Sequence, residues 1–117
     1  MEISLDIETF ANHFENELLD SNSLSKNTEK TLGEGVSIRY GFSVLRKSLD
    51  IPQWFNIILV VGQNVALPLA VNLFSNYLYD KLVRRKIDKV IINHSEVRTN
   101  REEIEELIRL IMKEREG

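Results

Sequence analysis

The 117-residue chain offers chemistry two histidines, 15 basic and 18 acidic side chains, and no cysteine. Without cysteine there is no disulfide, no thiolate nucleophile and no Cys-based zinc site. His13 and Glu17 stand four apart, which puts both on one face of a helix within reach of a shared metal ion. Two ligands are too few for a closed site, and the second histidine, His94, falls in a turn. No metal site and no cofactor are therefore expected. No serine lies in a Gly-x-Ser-x-Gly elbow, and no acid, base and nucleophile can be assembled from the sequence. Gly33-Glu34-Gly35 lacks the Gly-Lys-Ser/Thr of a phosphate loop and precedes a strand rather than a helix. Glu102/Glu103 and Glu105/Glu106 read as solvated helix carboxylates. No catalytic residue is assigned, and the chain is expected not to be an enzyme.

Two constellations remain. Lys81, Arg84, Arg85, Lys86 and Lys89 form a basic patch that Arg39, Arg46 and Lys47 could extend. Asp80 and Asp88 interrupt it, no aromatics are interleaved and no recognised motif accompanies it, so the patch argues weakly for nucleic acid. The termination of a helix or a contact with anionic lipid explains it equally. The second constellation is Asn72, Ser75, Asn76 and Tyr79, a neutral stripe on one helix face. Uncharged polar groups suit a half-dry contact because they bond sideways without the desolvation cost of an ion. The stripe is expected to meet a partner protein or a second copy.

The elements that must position these residues follow from periodicity. Ile3, Leu5 and Ile7 alternate with Glu2, Ser4, Asp6 and Glu8, which predicts a strand over 2–7 with one wet face. Ile7, Phe10, Phe14 and Leu18 change to a spacing of three and four, which predicts a helix from Thr9 to Leu19 with Thr9 as cap. Asp20 to Thr31 is polar and reads as loop, the mobile segment spanning about 20–34. Val36, Ile38, Tyr40, Phe42 and Val44 alternate with small or polar residues, a strand over 36–45. Gly41 on its opposite face marks a bend, a bulge or a close approach. Val90-Ile91-Ile92 and Ser95 to Arg98 read as strands over 88–92 and 95–98 around an Asn93-His94 turn. Thr99-Asn100-Arg101-Glu102 fits a capping box, and Ile104, Leu107, Ile108 and Ile111 mark one face of a helix over 100–116.

Between Ile51 and Tyr79 there is no charged residue over 29 positions. Ile57 to Val61 is apolar all round; Asp50 and Pro52 favour a helix start before it, and its β-branched residues favour a strand. The helical reading is taken. Asn64 is placed as cap of a second helix with Leu67, Ala70, Val71, Phe74 and Leu78 on its buried face. The stretch is long enough to span a bilayer, which takes about 20 residues, with Trp54 and Tyr77/Tyr79 near its ends and a basic flank. Adjacent Gln63 and Asn64 at mid-bilayer and the amphipathic second half argue for a folded core instead.

Charge is −6 over 1–37, +5 over 38–99 and −2 over 100–117, for a net −3. The acidic start reads against a signal peptide. The expectation is one α+β domain over 1–117 in two layers, with a mixed or antiparallel sheet of 3–4 strands packed against helices. The alternative is α/β, with 57–61 as a strand joined to 88–92 by a crossover helix. The expected function is a non-enzymatic interaction or oligomerisation module in the cytoplasm, its partner itself or another protein. The alternatives are a membrane-acting effector inserting 51–79 and a weak nucleic-acid binder using 81–89.

Overall fold

A computed structural model describes residues 1–44 and 50–116. Arg46 and Lys47 lie outside the described residues. The fold is α+β: one antiparallel sheet and three helices. The elements are β1 (Glu2–Thr9), α1 (Phe14–Leu18), β2 (Glu29–Gly33), β3 (Val36–Val44), β4 (Gln53–Val61), α2 (Leu67–Arg84), β5 (Lys89–Ile92), β6 (Ser95–Arg98) and α3 (Arg101–Glu116). Strand order is β2-β3-β4-β1-β5-β6, and every neighbouring pair is antiparallel. Among the described residues the sheet thus has 6 strands rather than the 3–4 expected, and no parallel crossover.

The two added strands have different causes. Ile57 to Val61 belongs to β4, not to a helix. Its β-branched side chains fit a pleated surface, and Pro52 stands just before the strand, where a missing N–H costs no ladder bond. β4 lies between β1 and β3, with Leu59 opposite both Ile3 and Ile38. Its Phe55, Ile57, Leu59 and Val61 face is buried, while Trp54, Ile58 and Val60 on the other face are half-exposed. β2 lies within the polar segment read as loop. It is an edge strand of Glu, Lys and Thr, turned back onto β3 through Gly33, Glu34 and Gly35, all at positive φ.

Two expected boundaries move. β1 extends to Thr9, which pairs with Gln53, so Thr9 ends a strand instead of capping a helix. His13 then takes a left-handed conformation (φ 60°), and α1 begins only at Phe14. Phe10, expected inside, is 56% exposed. α2 starts after Ala66 rather than at Asn64, with Pro68 in its first turn, where no intrahelical N–H is needed. The cap of α3 is Asn100, whose Oδ1 accepts from the Glu103 N–H; Thr99 Oγ1 donates instead to the Ile87 carbonyl. The Asn93-His94 turn stands as expected. Both residues have positive φ (48° and 69°), the type I′ geometry that matches strand twist.

The core gathers one face of the sheet and the buried sides of all three helices into a single cluster. Ile3, Leu5, Ile7, Phe55, Ile57, Leu59, Val90 and Ile92 come from the sheet; Phe14, Leu18, Phe74, Leu78, Leu82, Ile104, Ile108 and Met112 come from the helices. Burial of this many large aliphatic side chains, at about 1.5–3 kcal/mol each, is what orders the uncharged middle of the chain. Tyr77 ties α2 to α1 by donating to the Leu18 carbonyl, and burial raises its phenol well above the ordinary tyrosine range. Among the described residues no helix is long and apolar enough to cross a membrane.

Candidate functional site

The neutral stripe divides. Val71, Ser75 and Tyr79 form one row of α2 at a spacing of four. At one end Leu67, Pro68 and Val71 share a cleft of about 260 Å3 with Arg109, Met112 and Lys113 of α3. At the other the Arg101 guanidinium lies 5.0 Å from the centre of the Tyr79 ring. Ser75, between them, is 1% exposed, and its hydroxyl has no partner among the described residues. Asn72 and Asn76 stand outside this row and bond to each other, Nδ2 of Asn76 donating to Oδ1 of Asn72 at 2.8 Å. Of the four stripe residues, Tyr79 thus meets the last helix, Ser75 is buried, and Asn72 and Asn76 bond to each other.

The basic run is largely spent inside the molecule. Lys81 pairs with Asp20 (2.9 Å), Arg84 with Asp80 (3.1 Å), Arg85 with Glu17 (2.6 Å) and Lys89 with Glu96 (3.3 Å). Lys30 also reaches Asp20 (2.8 Å), and the two ammonium groups hold its carboxyl below the ordinary aspartate range. Lys86 occupies the left-handed position after α2 (φ 57°). Arg39 lies across the sheet, pairing with Glu2 at 2.8 Å and lowering that carboxyl in turn. Glu17 pairs with Arg85, and His13 stands at the left-handed position before α1. Among the described residues no group of three or more His, Asp or Glu side chains is placed to hold a metal ion.

The other face of the sheet holds the most distinctive surface. Cross-strand register puts Val60, Ile58, Asn56 and Trp54 of β4 beside Glu2, Ser4, Asp6 and Glu8 of β1 on one side. On the other side stand Ser37, Arg39, Phe42 and Val44 of β3. All are exposed or half-exposed except Asn56 (5%). Asn56 is the hub: its Nδ2 donates to Ser4 Oγ (2.7 Å) and Asp6 Oδ1 (2.9 Å). Register shifts between Tyr40 and Phe42, and Gly41 sits in that bulge directly against Asn56. A Cβ at residue 41 would overlap Asn56 Oδ1 and come within 2.9 Å of the Asn56 carbonyl. The close approach that an isolated glycine signals is therefore to this amide.

The bulge turns Phe42 outward (49% exposed) into an edge-on contact with Trp54, ring centres 5.5 Å apart. Next to it Asp6, Glu8, Trp54 and His94 line a cleft of about 260 Å3. Asp6 is fixed from two sides, by Asn56 and by its own backbone, whose N–H donates to Asn93 Oδ1 (2.8 Å) and whose carbonyl accepts from the Asn93 N–H. Sequence reasoning placed Asp6 and Glu8 on a wet strand face and His94 in a turn, but it read Trp54 only as standing near one end of the uncharged stretch. Reading 53–61 as a strand would have shown the alternation Trp54, Asn56, Ile58, Val60. No protein-family model, curated protein or solved structure matches this chain.

Proposed function

We propose that the chain is a non-enzymatic interaction module. Its helices form one layer on the buried face of the sheet, and the opposite face receives a protein partner. One observation carries this reading. Antiparallel strands with one wet face alternate apolar inward and polar outward. β4 breaks that rule, turning Trp54, Ile58 and Val60 outward beside Phe42 and Val44. Half-exposed apolar side chains on a sheet face, here with the Arg39–Glu2 pair reaching across β4 at Ile58 and Val60, gain by being covered. The Asn72/Asn76 pair on α2 is a second, smaller contact within the same reading.

The test is a double substitution, Phe42→Ser with Ile58→Thr, which leaves the buried face untouched. Expected is loss of concentration-dependent association in light scattering, or of proteins cross-linked to the wild type in its own cells, with an unchanged circular dichroism spectrum. A wild type that stays monomeric and shows the same cross-linked proteins as the variant refutes the reading. Flotation with liposomes, abolished by the same pair, would replace the protein partner with a membrane surface.

A further inference from the structure

The cleft beside the apolar patch carries a charge pattern of its own. Five acids stand on this face of the sheet. Glu2 pairs with Arg39, Glu96 with Lys89, and Glu29 accepts from the Ser37 hydroxyl. Asp6 and Glu8 have no lysine or arginine beside them among the described residues. The nearest basic group is His94, whose Nδ1 stands 4.0 Å from Glu8 Oε2. Yet the Glu8 side chain is only 23% exposed, and Asp6 is half-buried. Two partly desolvated carboxylates two residues apart share one wall, and the indole of Trp54, directly across the strand pair from Glu8, supplies another. Carboxylates next to an aromatic face are complementary to an organic cation, which gains charge-assisted hydrogen bonds from the first and a cation–π contact from the second. His94 takes the turn position where glycine is cheapest, and so sets an imidazole at the rim of the same cleft.

We propose that the cleft formed by Asp6, Glu8, Trp54 and His94 receives a lysine or arginine side chain of a partner polypeptide lying on the open face of the sheet. The proposal rests on the reading of that face as a docking surface and adds the partner's chemistry. The partner carries apolar residues for Phe42, Ile58 and Val60 and a basic residue for the cleft. The cation supplies a positive charge that no lysine or arginine among the described residues brings to Asp6 or Glu8.

Trp54 is the single tryptophan of the chain, so its fluorescence reports on the cleft directly. The probes are N-acetyl-arginine amide and N-acetyl-lysine amide, with N-acetyl-norleucine amide as the uncharged control. Expected is a saturable change with the cationic probes at millimolar concentration and none with norleucine. The variant Asp6→Asn/Glu8→Gln, folded by circular dichroism, should lose about tenfold or more in affinity for them. An equal response to norleucine, or undiminished affinity in the variant, overturns the proposal. Saturation by zinc chloride at lower concentration overturns it in favour of an inorganic ion. A wild-type dimer that dissociates in the double variant overturns it in favour of a second copy. The two readings are separated by an apolar dye. If the dye binds wild type but not Phe42→Ser/Ile58→Thr while arginine amide has no effect, the docking face stands and the cation site falls. If neither binds, both fall.

Discussion

The contact of Gly41 with Asn56 lends itself to a double-mutant cycle. In Asn56→Ala the bonds to Asp6 and Ser4 disappear. A bond to a carboxylate contributes about 1.5–3 kcal/mol and a neutral one about 1. Water reaches the half-exposed partners once the amide is gone, so the net cost is roughly 2 kcal/mol. In Gly41→Ala the new Cβ overlaps Asn56 Oδ1, and the amide must swing away and give up the same bonds. The methyl group also presses on the Asn56 carbonyl, a backbone atom that yields poorly. That adds about 1 kcal/mol, for roughly 3 in all. With both changes the displaced amide no longer exists, and the cost is about 3 rather than the additive 5, a coupling of about 2 kcal/mol. Urea unfolding of the four proteins, with the slope held constant, measures each corner. The melting temperature of Gly41→Ala should fall by about 10 °C. Additivity within about 0.5 kcal/mol, or a neutral Gly41→Ala, would show that the glycine is not held by this amide.

Three further outcomes are expected. Lys86 closes α2 in the left-handed conformation, its N–H bonded to the Val83 carbonyl and that of Ile87 to Leu82, so Lys86→Gly should stabilise by about 0.5–1 kcal/mol in urea; a loss would refute the account of strain. Leu59 faces the core and Val60 the open side, so Leu59→Asp should abolish the cooperative transition while Val60→Asp still folds; equal effects would contradict the register. Asp20 is held low by Lys30 and Lys81. A depressed folded pKa gives stability that is present above the unfolded value and lost as pH falls through the folded one. The stability difference between wild type and Asp20→Asn should therefore shrink below about pH 4, and also in high salt because the pair is exposed; a difference unchanged at pH 2 would rule out the carboxylate charge as its source.

Much of the fold is legible where one residue's neighbours are sequence neighbours. The alternation of Ile3, Leu5 and Ile7 with Glu2, Ser4, Asp6 and Glu8 fixes β1 and its two faces. The Asn93-His94 turn joins β5 to β6, and the spacing of Ile104 and Ile108 fixes α3. These signals are local because a strand or helix of one amphipathic face sorts its side chains by a fixed period. The candidate site was half legible for the same reason: Asp6 and Glu8 were on the correct face, with nothing to say what stood beside them.

By itself, then, the amino-acid order determined the α+β class, the strands β1, β5 and β6, the last helix, and the buried face of α2. It could not determine the state of Ile57–Val61, because a run that is apolar on every side has no period to read. Pairing with β1 and β3 decided that segment, and with it the sheet of six strands. The same pairing extended β1 over residues expected to be helical, turned Phe10 out to solvent and brought Trp54 across from Glu8. The β1–β4 contacts join residues 44 to 58 positions apart, from Thr9–Gln53 to Glu2–Val60, and the β3–β4 contacts join residues 10 to 25 apart, from Val44–Trp54 to Val36–Val61. Their free energy comes from closing the whole sheet over one core, and no window short enough to read one element's period contains β1, β3 and β4 together.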